Sequence, residues 1–216
     1  MQETIEETSA QEREDRDSVH PLWLRLIHWA NAIAIVVLIM SGWRIYNATR
    51  FLRLRLPDGQ WLFPSNWTLG AWLGGAIQWH FAAMWILFTT ALIYLIANLA
   101  TGRLSRQFLP VTPKGLLADG LAFLKGHLSH ADIRQYNTIQ KLAYLFAMLD
   151  IVTLIASGLV LWKSVQLGWL RVLLGGYETA RYIHFGAMSL MVVFIVVHVV
   201  MALFVPKTIK AMIWGR

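Results

Sequence analysis

The sequence predicts an all-α membrane protein built as a four-transmembrane-helix up-and-down bundle. Three observations carry that reading. Of 216 residues, 57% are hydrophobic and only 14% are charged, with a mean hydropathy of +0.52, a balance that ordinary soluble domains do not have. Four apolar segments each approach the ~20 residues a helix needs to cross hydrocarbon. Trp23, Trp43, Trp79, Trp162 and Trp214 fall at or just beyond the ends of these segments, where amphipathic rings anchor a helix at the interface.

Residues 1–18 are polar and acidic, from Glu3 to Asp17. They lack the basic start and short apolar core of a secretory signal, so a disordered cytoplasmic tail is expected. The bundle is expected over 19–212. Its spans run over about 22–43, 77–99, 142–162 and 181–205. Thr101-Gly102 and Pro206 punctuate the ends of spans two and four. Ser41-Gly42 and Ser157-Gly158 recur near the same end of spans one and three.

The loop after span one is long and Trp-rich (Trp61, Trp67, Trp72), with a turn signal at Pro57-Asp58-Gly59. It is expected to fold onto the outer membrane surface, where it can dock a partner. The inner loop, Gly102 to Gln140, has helical periodicity from Pro113 to Leu128 and can lie flat at the interface.

Lys and Arg set the direction of threading. With both termini inside, inner segments hold twelve of them, including Arg103, Arg106, Lys114 and Lys125. Outer loops hold seven, including Arg44, Arg50, Arg53 and Arg55. The excess favours cytoplasmic N and C termini. These cations also make the net charge +7. Because they flank apolar spans, they point to contact with membrane lipid and not to nucleic acid.

There is no cysteine. That excludes disulfides, cysteine-ligated iron–sulfur clusters and the covalent attachment of c-type haem. Any metal falls to histidine, methionine or carboxylate.

Four histidines lie in the spans: His28, His80, His184 and His198. Imidazole inside hydrocarbon is costly and marks a functional site. His184 and His198 are fourteen residues apart, close to four helical turns, so they share one face and lie roughly 21 Å apart along the axis. Depth pairs His80 with His184 on one side and His28 with His198 on the other. Two stacked haem b groups, each non-covalent and ligated by two histidines, need this arrangement. A single such histidine can equally be a polar link between helices. Gly42, Gly158 and Gly186 fall at the depth of the outer pair, where they can admit a macrocycle or simply pack helices closely. Arg25 and Arg44 can pair with haem propionates or snorkel as anchors.

The run Arg25-Leu26-Ile27-His28-Trp29, then Ser41-Gly42, His80, Tyr136-Asn137-Thr138-Ile139-Gln140-Lys141, and His184 with His198 resembles the bacterial cytochrome b561 and nickel–iron hydrogenase b-type cytochrome family. That family includes the gamma subunits of formate dehydrogenases and thiosulfate reductase cytochrome b subunits. The resemblance covers about residues 19–212. It implies a multi-pass protein of the bacterial inner membrane that exchanges electrons with quinone, its haem ligands being His28, His80, His184 and His198. It also implies that Asn137 and Gln140 hold the quinone beside the cytoplasmic haem. The family's glycine before that Gln is Ile139 here. Amides at a membrane boundary can bond a quinone carbonyl, and Asn137 can alternatively cap a helix.

Asp150 sits mid-span, where a carboxylate is either part of a proton route to the quinone or a polar tie between helices. His127 and His130 lie one turn apart in the inner loop, where they can bind metal or relay protons but are expected to be simply solvated. No nucleophile motif, P-loop or dinucleotide fingerprint is present.

The function expected is that of an electron-transfer subunit between the quinone pool and a periplasmic redox partner, a molybdopterin enzyme or a hydrogenase. Whether the chain is itself an enzyme stays open. The alternatives are a stand-alone superoxide:ubiquinone oxidoreductase, whose substrate the cationic outer rim would steer, and a haem-free transporter.

Overall fold

Hydrocarbon offers no water to an unpaired backbone N–H or C=O, so a spanning segment must bond internally. All four apolar segments are accordingly continuous helices. The computed structural model describes residues 20–52, 55–59, 62–102, 112, 115–117, 119 and 138–215. Its helices are α1 (Leu22–Ala48), α2 (Leu73–Ala100), α3 (Thr138–Trp162), α4 (Gly168–Leu173), α5 (Tyr177–Phe204) and α6 (Pro206–Trp214), with a 3-10 turn at Ser65–Trp67. No described residue lies in a β-strand.

Helices α1, α2, α3 and α5 are long and apolar enough to cross a membrane. At 25 to 28 residues, they measure about 38–42 Å, more than the ~30 Å of hydrocarbon. They therefore overrun the expected spans: α1 continues to Ala48, while α2, α3 and α5 each begin four residues early. Helical hydrogen bonding persists into the interface, where the apolar count that defines a span has already ended. The acidic segment 1–18, His127, His130 and Asn137 lie outside the described residues.

The chain divides into two compact units. The first, Trp23–Ala97, is an antiparallel hairpin of α1 and α2. Ser41 meets His80. Asn31, ten residues before Ser41, meets Thr90, ten after His80. Between these contacts, buried Ala34 and Ala83 bring the backbones together beside Leu87, as small residues do between membrane helices. The loop folds back on the end of α1. Phe63 stacks on Trp43 at 4.9 Å and meets the edge of Tyr46 at 5.4 Å. Asn47 Nδ2 donates to Phe63 O at 2.8 Å, and Leu69 N donates to Met40 O at 3.1 Å. The chain then turns sharply into α2 at Gly70, with φ +107°; a Cβ there would collide with the backbone of Ala76.

The second unit contains the described residues from Asn98 onward and is a second antiparallel hairpin, α3 against α5. Ser157 meets His184, and Phe146 meets Phe194, eleven residues towards the start of α3 and ten further along α5, at 6.1 Å. Short α4 links the two helices, and Gly175 and Gly176, with φ +76° and +101°, reverse the chain into α5. Val160, Leu170 and Ala180 form the core at this turn. At the other end of α3, the Asp119 carboxylate accepts from Thr138 N at 2.6 Å, a favourable place for negative charge at a helix start. Pro206 occupies the first turn of α6, where its missing N–H costs nothing.

Candidate functional site

Both hairpins build the same local structure around a histidine. His80 follows the first residue of α2 by seven positions, and His184 follows the first residue of α5 by the same seven. Each faces a Ser-Gly pair near the end of the preceding spanning helix. Ser41 Oγ lies 3.0 Å from His80 Nδ1, and Ser157 Oγ lies 3.0 Å from His184 Nδ1. A Cβ on Gly42 would sit 3.6 Å from His80 Cε1, in ordinary contact, whereas one on Gly158 would sit 3.2 Å from His184 Cε1, which is tight. The glycines thus let each imidazole lie close against the neighbouring helix. Gly186, expected with them to admit a macrocycle or pack helices closely, faces no neighbouring atom within 4 Å.

Both serines are fully buried, and each bonds back to its own helix. Ser41 Oγ is 2.6 Å from Val37 O, and Ser157 Oγ is 2.6 Å from Thr153 O. His184 Nδ1 additionally lies 3.1 Å from Leu154 O. The serines went unrecognised as site residues in the sequence. The recurring Ser-Gly pair was visible there, but its partner was not.

His28 is half-buried near the start of α1, its ring set edge-on to Trp29. His198 is exposed on α5 and stacks on Phe194 at 5.7 Å and 15°, so the Phe146–Phe194 pair backs its ring. Each unit therefore carries one candidate histidine towards each end. His28 stands six positions after the start of α1, and His198 six before the end of α5. Gln140 lies half-buried in the first turn of α3. Buried Asp150 has an Oδ2 atom without a hydrogen-bond partner among the described residues.

The sequence model of the prokaryotic cytochrome b561 family matches residues 19–215. The chain belongs to that family. The resemblance read from the histidine pattern is borne out, and membership makes this b561 protein a multi-pass membrane haem protein of electron transport, with haem of the b type. It is also 53% identical over 199 residues, 92% of its own length and 97% of the relative's, to an Azospira oryzae protein described as "Putative protein-methionine-sulfoxide reductase subunit YedZ1".

The residues present fit a b haem. A histidine can give iron one ring nitrogen when the other is held as N–H by an acceptor. His184 meets that condition without ambiguity, because Leu154 O can only accept. Arg25 keeps its Nε buried with no acceptor among the described residues, as suits a cation awaiting an anionic group such as a propionate. At the loop end of α1, Arg44 and Arg50 line a cavity of about 670 Å³ with Asn47, Phe63 and Asn66. This concentrates positive charge, although Arg55 turns away to donate to Gly59 O at 3.1 Å.

Proposed function

We propose that the protein is the di-haem membrane subunit of a two-part reductase, taking electrons from quinol and passing them to a periplasmic partner that reduces methionine sulfoxide. The observation that supports the di-haem reading is the matched position of the four histidines along their own helices. His80 and His184 each stand seven residues inside a helix that enters from the loop side, and His28 and His198 each stand six residues from the opposite end. We assign His80 with His184 to one haem and His28 with His198 to the other. With cytoplasmic termini, the first pair is periplasmic. When bound, the haems supply one-electron carriage; the chain supplies ligation, spacing and electrostatics.

The relative described as a sulfoxide reductase subunit supports the direction. Reducing a sulfoxide to a thioether consumes two electrons and two protons and releases water. Quinol oxidation supplies two electrons and two protons. Of the partner classes considered, a molybdopterin enzyme suits removal of an oxygen atom and a hydrogenase does not. Gln140, in the first turn of α3, is proposed to bond the quinol head together with Asn137, three residues before it in the sequence. The Arg44–Arg50 end offers the partner a cationic surface.

The test is a quantified reduced-minus-oxidised spectrum with a pyridine haemochrome assay on the purified full chain, followed by reduction with a quinol analogue. About two b haems per chain, reduced by quinol and reoxidised by the partner plus a methionine-sulfoxide substrate, support the reading. One haem per chain overturns the pairing, and haems that quinol does not reduce overturn the quinol role.

A further inference from the structure

We propose that Ser41 and Ser157 are twin positioning residues that hold His80 and His184 in the iron-binding tautomer and lower the potential of the haem they share. The pairing of these two histidines on one haem is the reading given above; the role of the serines follows from hydrogen-bond accounting within each hairpin.

A serine hydroxyl has one proton. In Ser41 it is committed to its own helix, since Oγ lies 2.6 Å from Val37 O and 3.2 Å from Leu38 O. A carbonyl has no proton to give, so the hydroxyl is the donor there. Its oxygen then meets His80 Nδ1 at 3.0 Å as an acceptor, and Nδ1 must carry the hydrogen. Ser157 repeats the arrangement, with Thr153 O at 2.6 Å, Leu154 O at 3.3 Å and His184 Nδ1 at 3.0 Å. The second acceptor on His184 Nδ1, Leu154 O at 3.1 Å, requires the same tautomer. In both histidines the lone pair is therefore left on Nε2. Both serines are fully buried, so water does not compete for these bonds. Serine bonded back to the carbonyl four residues earlier is a known helical habit; here it fixes which way the hydroxyl points.

An acceptor on Nδ1–H makes the imidazole a stronger electron donor, which favours oxidised iron. Removing it should raise the potential. Expected is up to a tenfold change in the oxidised-to-reduced ratio at fixed potential, which is ~59 mV for a one-electron couple. For Ser157→Ala the change should be partial, because Leu154 O remains.

The experiment is a potentiometric titration of the purified full chain, with haem content and low-spin ferric EPR recorded for Ser41→Ala, Ser157→Ala and the matching Thr variants. Wild type must resolve two b components; a single component sinks the di-haem reading and not the serine assignment, which would then be read on that one component. The proposal expects both Ala variants to raise the same component and leave the other in place. It expects Thr, which keeps the hydroxyl and its bond to the preceding turn, to restore the wild-type value. Shifts of two different components would overturn the shared haem. Fully loaded Ala variants with unmoved potentials and EPR would overturn the positioning role. Should the Ala variants lose haem, retention by Thr supports the role, and loss in both Ala and Thr variants overturns it as mere packing.

Discussion

Ser157 Oγ stands 3.0 Å from His184 Nδ1 across the α3–α5 hairpin, and Ser41 stands at the same distance from His80 across the α1–α2 hairpin. One local device is thus built twice, from segments with little else in common beyond a Ser-Gly pair. Within each hairpin it ties one imidazole nitrogen to the protein, and the other is the one proposed to bind iron. Several consequences can be measured.

His80→Ala and His28→Ala should each lower the haemochrome stoichiometry from about two per chain to about one, with the retained haem differing between the variants. Each histidine would supply one of the bonds that hold a non-covalent haem, so its loss should release that haem. Identical residual spectra from both variants would count against two separate sites.

Gly158→Ala should perturb the site more than Gly42→Ala. The new methyl would sit 3.2 Å from His184 Cε1 in one case and 3.6 Å from His80 Cε1 in the other. Overpacking a fitted interior costs ~1–3 kcal/mol. Thermal melts followed at the haem absorption should show a clear loss for Gly158→Ala and little for Gly42→Ala. Equal effects would mean that the two glycines serve a different purpose.

Gln140→Leu and Asn137→Ala should slow quinol oxidation by about tenfold, the equivalent of one hydrogen bond of ~1.4 kcal/mol. Haem content and both potentials should stay unchanged. Steady-state assays over a range of quinol concentrations check this, and wild-type rates in both variants would remove the amides from the quinone site.

Asp150→Asn should leave haem content, stability and quinol turnover close to wild type. The residue is buried, with an oxygen that has no partner among the described residues, and the amide keeps its shape without the charge. Turnover measured across pH decides the matter: a changed pH profile would place Asp150 on the proton route.

Asn47→Ala should loosen the long loop without touching the haems. It removes the bond to Phe63 O, worth ~1 kcal/mol, from a clamp that otherwise consists of the Trp43, Tyr46 and Phe63 ring contacts and the Leu69 N–Met40 O bond. Limited proteolysis in lipid nanodiscs should cut the loop faster than in wild type, with unchanged visible spectra.

The sequence by itself determined the parts that depend on sums along the chain. A run of ~20 apolar residues in lipid has one stable backbone solution, so α1, α2, α3 and α5 could be read directly, to within the few residues by which each overruns the hydrocarbon. Because imidazoles are scarce and costly in such helices, His28, His80, His184 and His198 stood out, and helix geometry alone put His184 and His198 on one face. Hairpin register was out of reach. Nothing in the composition says that Ser41 lies opposite a residue 39 positions away, or that Gly158 is pressed against His184 while Gly186 faces open space. Likewise, the tryptophans of the first loop were visible as anchors, but the packing of Phe63 between Trp43 and Tyr46 was not. Partition into the membrane is a local property, set residue by residue. Which hydroxyl meets which imidazole is set by the pairwise fit of two helix faces, and only the tertiary structure decides that.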